Sequence, residues 1–284
     1  MARGQPSQRS SGYGAGSLSA RLLGWALAVT LGALSACSRR ATPEQPSPAE
    51  PSFYEPLRAT LALVHRSDGL CYGLLKEALK RPDSAARRAL ERLKAPLPSG
   101  LSSQAELAYW INAYHILMIT RVAELWPIAS VKGALPGDPY AIFKERRFEL
   151  AGATRSLDEI EHELIRPRFR DPRVHAALNC ASASCPPLAP EPYLPDQLDA
   201  QLESAARAFA LDPQRQALQG SPLKLSMIFK WYAEDFEPLG GSRAWLARYA
   251  RDPARARLLD PSTPVQYLSY DWSVNAASVG HCRP

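Results

Sequence analysis

Residues Ser102 to Trp126 place the first constraint on the fold. Leu107, Trp110-Ile111, Tyr114, Leu117-Met118, Val122 and Leu125 recur at the three-four spacing of a buried helix face, and Pro127 ends the run. Shorter helical periods precede it, from Glu55 to His65, Leu70 to Leu79 and Asp83 to Leu93. Arg147 to Thr154 reads as a hairpin around Gly152, and Ser156-Leu157-Asp158-Glu159 as a capping box opening a helix that Pro167 stops. Val174 to Leu178 is a short apolar strand candidate, and Leu198 to Leu211 a helix. Leu223 to Leu225 predicts a strand leading into an aromatic helix from Met227 to Phe236, and Val265 to Trp272 a late strand. Helices and strands segregate without regular alternation. The expected class is α+β, a helix-rich single domain with a small, mostly antiparallel sheet. Trp231, Tyr232 and Phe236 are assigned to packing, because large aromatics at helical spacing fill cores.

The N-terminus has a different composition. Arg3, Arg9 and Arg21 are its only charges before Cys37, and Leu22 to Ala36 carries none. A basic segment, an apolar run and small residues before a cysteine make a secretory signal, too short to span a bilayer as a helix. Leu34-Ser35-Ala36-Cys37 resembles the lipobox of bacterial lipoproteins, which makes Cys37 a lipidation site and a membrane anchor. The alternative is an unlipidated signal peptide cleaved near a cysteine. Ser38 resembles the residue that sends such proteins to the outer membrane, so the expected location is its periplasmic face. Arg40 to Ser52 contains four prolines and no bulky apolar residue, and reads as an extended tether. The expected organisation is a signal at 1–36, a lipidated cysteine and tether at 37–52, and one globular domain at 53–284.

Charge excludes one class of partner. Cleavage before Cys37 removes Arg3, Arg9 and Arg21, so the formal net charge falls from +6 to only +3. The remaining basic pairs, such as Lys80-Arg81 and Arg146-Arg147, are interrupted by apolar and acidic residues. They read as solvated faces, and no nucleic-acid partner is expected.

Three places can carry chemistry. In Val174-His175-Ala176-Ala177-Leu178-Asn179-Cys180-Ala181-Ser182-Ala183-Ser184-Cys185-Pro186, a cysteine follows an apolar run and precedes small residues. That suits a thiol nucleophile with backbone amides close by to accept an oxyanion. The same pattern suits a packed thiol or a Cys180–Cys185 disulfide, since an exported protein meets oxidising conditions. With Cys37 lipidated, Cys71, Cys180, Cys185 and Cys282 remain, and three pairings are open. His175 with the two cysteines matches no common zinc spacing, so no metal and no cofactor is expected.

The second place is Glu161-His162. Glu161 falls inside the apolar face set by Leu157, Ile160 and Leu164, where a carboxylate needs a partner. A carboxylate and an imidazole side by side can orient and activate a thiol. The bland reading is a salt bridge from Glu161 to an arginine with His162 half exposed. The third is Asn112 with His115, three apart on the long helix. That amide either lines a site or satisfies a buried backbone group.

These motifs together resemble the domain-of-unknown-function family 547, found in bacterial lipoproteins and plant proteins. The likeness rests on YWINAYHIL, SLDEIEHELIR, VHAALNCASASCPPL and FKWYAEDF and spans roughly Glu106 to Phe236. It marks Asn112, Tyr114, Glu161, His162, Cys180, Ser184 and Pro186. His115 departs from the family's usual Asn, and plant members have serine where Cys185 stands, which implies that a 180–185 disulfide is not a general requirement. The resemblance implies no reaction. The expected site gathers Cys180 as nucleophile, His162 as base, Glu161 as orienter and Asn112 beside them, for thiol-dependent hydrolysis or acyl transfer of an unknown small molecule or peptide. The alternative is a non-catalytic binding module for an envelope partner, with the same residues as a structural polar cluster.

Overall fold

Helix α1 (Glu55–Val64), α2 (Tyr72–Leu79) and α3 (Ala85–Arg92) come before the long α4 (Ser103–Leu125), close to where the apolar spacing predicts them. The structure is a computed structural model that describes residues 46–283. Cys37 and most of the signal and tether lie outside the described residues. Residues 46–52 at the tether's end lie on the domain: Pro48 is buried and its carbonyl accepts from the Tyr54 hydroxyl at 3.1 Å.

The sequence shows one apolar face on α4, yet every residue from Leu107 to Ala123 is buried. α2, α3, the 157–165 segment and the helix Leu198–Leu211 pack on it. Ser102 caps the helix by accepting from the Ala105 N–H at 3.1 Å. Arg121, the buried charge on it, donates to Glu145 at 2.6 Å and Glu124 at 3.2 Å. Among the described residues no helix is long and apolar enough to cross a membrane.

After α5 (Ala141–Lys144) comes the predicted hairpin, Phe148–Leu150 antiparallel to Ala153–Arg155. The capping box is complete: Ser156 Oγ accepts from Glu159 N at 3.0 Å, and Glu159 Oε2 from Ser156 N at 2.7 Å. The helix it opens does not stop at Pro167. α6 (Leu157–Glu159) widens into a π-helical turn, Ile160–Ile165, which continues as α7 (Arg166–Phe169). Pro167 sits at the start of that last segment, directly after the π turn.

The segment expected as a strand at Val174 to Leu178 is instead one helical turn, α8 (Val174–Ala177). Val174 and Ala177 join the hydrophobic cluster around α4, whereas Ala176 joins a second cluster built on Phe209, Phe229, Phe236 and Trp245. No strand lies alongside, so its amides are satisfied locally, by the carbonyls of Asp171, Pro172, Arg173 and Val174. Apolar periodicity over five residues does not separate these outcomes.

The second cluster gathers α9 (Leu198–Leu211), α10 (Ile228–Trp231), α11 (Ala233–Phe236), α12 (Gly241–Ala247) and α13 (Ala254–Leu259). The aromatic helix expected from Met227 to Phe236 breaks at Tyr232 into α10 and α11. The α+β class holds, but the strands form three separate pairs. Besides the hairpin there is a short antiparallel pair, His65–Arg66 with Gly69–Leu70, and one parallel pair, Leu223–Leu225 with Val265–Tyr267. The late strand therefore ends at Tyr267. Beyond it the chain runs as an extended strap, touching Ser130 through Ser273, Ser182 through Val274 and Leu70 through Ala276. A Cys71–Cys282 disulfide fastens its end to the start of α2.

Candidate active site

Cys180 follows α8 on a loop fixed from several sides. Asn179 ahead of it is buried, donates to Pro186 O at 2.6 Å and accepts from Ala181 N at 2.9 Å and Asn275 Nδ2 at 3.2 Å. His115 of α4 brings Nε2 to 3.1 Å from Ala177 O and 3.3 Å from Asn179 N. Burial lowers that imidazole to about 4, so it is neutral. Ala181 is held in the left-handed region with φ 62°, a conformation that costs a side-chain-bearing residue about 1–2 kcal/mol. Arg215 closes the loop by donating to Cys185 O at 2.6 Å and Ala183 O at 3.2 Å.

Cys180 and Cys185 are both free thiols; the 180–185 disulfide is not formed, and the bridge in this chain joins Cys71 to Cys282. Cys180 N donates to Cys185 Sγ at 2.8 Å. Cys180 Sγ lies 3.0 Å from Ser182 Oγ and 3.3 Å from the Tyr270 hydroxyl. Burial alone would raise the Cys180 thiol. Hydrogen bonds from Cys185, Ser182 and Tyr270 outweigh it and lower the group to about 7. Burial and the neighbouring Cys180 push Cys185 far up, so that thiol keeps its proton.

The sulfur opens into a cleft of about 340 Å³ whose walls include Glu161, His162, His175, Trp231, Tyr232 and Trp272. Cys180, Glu161 and His162 thus share one cavity, but their contacts differ from those expected. His162 Nδ1 accepts from Arg166 Nη1 at 2.8 Å, and its Nε2 faces Asp158 Oδ1 at 3.6 Å. With the Nδ1 lone pair taken by a guanidinium, Nε2 carries the proton and His162 is no base for Cys180. Glu161 does not orient that ring; it stands beside the Tyr232 hydroxyl. Nor does it have the expected arginine, since Arg166 also binds Asp235 and Glu234. The π turn puts Glu161 and His162 on the cleft side while Ile160 and Ile165 stay in the core.

Asn112 is not in the cleft. It is buried, donates to Tyr193 O at 2.7 Å and accepts from Tyr193 N at 2.9 Å, a two-point clip on backbone. Of the expected oxyanion donors, Ser182 N–H stays at the sulfur and the others are spent. Ala181 N goes to Asn179 Oδ1, Ala183 N to Ser273 O at 2.8 Å, Ser184 N to Asp271 O at 3.2 Å and Cys185 N to Ser182 O at 3.2 Å. The donors at the sulfur are the two hydroxyls and the Ser182 N–H. Tyr270 keeps its proton, because burial and the two thiols raise it well above the usual phenol range.

The cleft imidazole within hydrogen-bonding distance of a carboxylate is His175. Its Nε2 lies 2.6 Å from Asp235 Oδ2, and its ring is stacked under Tyr232 at 4.1 Å. Asp235 also accepts from Arg166 Nε at 2.7 Å. Burial would raise that carboxyl, but His175 and Arg166 outweigh it and hold it well below the usual carboxylate range. Trp231, assigned above to packing, is 42% exposed and lines the cleft. His175 appeared in the sequence only as a poor zinc ligand, and Tyr270 and Trp272 only as strand residues. FKWYAEDF was the one signal that held Asp235.

No curated protein and no solved structure matches the chain. A family model described as "Protein of unknown function, DUF547" matches residues 98–210. The match ends before FKWYAEDF, so it is shorter than the resemblance drawn from the motifs. It takes in Glu161, His162, His175, Cys180 and Cys185, while Trp231, Asp235, Tyr270 and Trp272 come from the chain beyond it. Residues 98–210, which supply the thiol and two imidazoles of the cleft, are thus the part of this chain that matches the protein-of-unknown-function family DUF547.

Proposed function

We propose that this domain is a thiol-dependent hydrolase or acyl transferase, carried on the cell envelope by a lipid on Cys37, with Cys180 as nucleophile. The observation that carries the reading is a free Cys180 sulfur that faces an aromatic cleft and is hydrogen-bonded by two hydroxyls favouring its thiolate. With the thiol lowered to about 7, a large fraction is ionised at neutral pH without a dedicated base. The thiolate attacks an acyl carbon, and Tyr270 donates to the oxyanion that forms. The leaving group takes its proton from solvent, and His175, which Asp235 orients as the third member of a triad does, is the base that takes a proton from the deacylating water and passes it to solvent. Water or an acceptor then releases the acyl group from sulfur.

Treating the reduced, folded protein with p-nitrophenyl acetate tests this. A stoichiometric burst of nitrophenol with acetyl mapped to Cys180, absent in Cys180→Ser, is expected. A folded, reduced protein that gives neither burst nor adduct sinks the enzyme reading. The engaged loop amides favour the second reading, a binding module. The anchor is tested apart from the chemistry: wild type partitions into detergent with membranes, and Cys37→Ser stays unprocessed or soluble.

A further inference from the structure

One wall of the cleft is a contiguous aromatic surface. Trp231 stacks on Trp272 at 5.7 Å and 29°, Tyr270 meets both at 4.8 and 4.5 Å, and Tyr140 abuts Trp272 at 5.4 Å. The charges beside it are unbalanced. Lys144 is tied to Asp138 at 2.6 Å, and Arg166 is spent on His162, Asp235 and Glu234. Glu161 faces the cleft without an ion-pair partner among the described residues, and Asp158 has its nearest ion pair with His162 at 3.6 Å and Lys144 farther off.

Aromatic faces alone would accept any apolar group or sugar ring. A neutral ligand that covered Glu161, however, would strip water from a carboxylate and give nothing back. An anion would be repelled by it. A cation gains twice, from the carboxylate and from the negative faces of the rings. We propose that the Cys180 cleft selects substrates bearing an ammonium ion, held between the Trp231–Trp272 wall and the Glu161 carboxylate. This deepens the thiol reading and rests on it for the word substrate; the cation site itself does not need the thiol.

The test uses Cys180→Ser, which removes the nucleophile and keeps the cleft. Binding of Nα-acetyl-lysine methylamide, Nα-acetyl-norleucine methylamide and methyl N-acetylglucosaminide is followed by tryptophan fluorescence and calorimetry. The lysine probe should bind about ten-fold more tightly than its norleucine counterpart and than the sugar. Glu161→Gln should remove most of that preference, and Trp231→Leu should weaken the lysine probe several-fold. Circular dichroism checks that both variants fold. Equal or tighter binding of norleucine or sugar, an unchanged preference in Glu161→Gln, or no saturable lysine binding at millimolar concentration overturns the proposal. Acylation of wild-type Cys180 by p-nitrophenyl acetate with no cation preference sinks this inference alone. A cation preference without acylation sinks only the thiol reading.

Discussion

The hydroxyl of Tyr270 lies 3.3 Å from the sulfur of Cys180, a residue 90 positions earlier in the chain. Because burial keeps the phenol protonated, it can donate to a thiolate and lower the thiol toward 7. Removing the donor should raise the thiol. Tyr270→Phe is expected to shift the pH–rate profile of iodoacetamide alkylation upward and slow labelling at neutral pH about 5-fold. An unshifted profile would remove Tyr270 from the site.

Asn179 holds the loop before and after the thiol through three side-chain hydrogen bonds, two of them fully buried. Asn179→Ala leaves buried donors and acceptors unpaired, so a loss of about 2–4 kcal/mol is expected. Urea unfolding measures it. A loss below about 1 kcal/mol would mean that the loop relaxes around the gap.

Asp235 gives a pH dependence with a definite sign. Its carboxyl is held below the value of an unfolded chain, so its contribution is full above about pH 4 and is lost as acid protonates it. At neutral pH Asp235→Asn should cost about 1–3 kcal/mol, as for hydrogen bonds to a charged group. The variant should also lose less stability than wild type between neutral pH and pH about 3. Parallel stability curves over that range would contradict the assignment.

The Cys71–Cys282 bridge closes a loop of 211 residues. Its removal should cost about 2–5 kcal/mol, chiefly by freeing the unfolded chain. Thermal unfolding of the Cys71→Ser/Cys282→Ser protein, and of wild type with reductant, should show the same drop. A drop with reductant that the double variant lacks would point to other thiols.

Where spacing and caps decide the outcome, the sequence was readable. α4, the Ser156–Glu159 capping box, Leu198–Leu211 and Leu223–Leu225 all follow from local pattern. Asn112 was misread because an amide on an apolar helix looks the same whether it serves a ligand or the backbone of Tyr193. For His162 the deciding partner stands one helical turn away at Arg166, and an i, i+4 pair on a helix does not by itself separate a structural contact from a catalytic one. The pairs that make the cleft are of another kind. His175 meets Asp235 across 60 positions and Cys180 meets Tyr270 across 90, and no periodicity carries that information. Val174–Ala177 failed for a third reason: buried on all sides between two clusters, it has no face for a pattern to show.

The strap carries a consequence for how the molecule comes into being. A ribosome makes Cys180 well before Tyr270 and Trp272. Any product that stops short of the strap holds the thiol without its hydroxyl partner and without a wall to the cleft. The last dozen residues also deliver Cys282, which locks the same segment against the start of α2. A chain cut short before the strap therefore loses Tyr270, Trp272 and Cys282 together, and with them the thiol's hydroxyl partner, one wall of the cleft and the bridge.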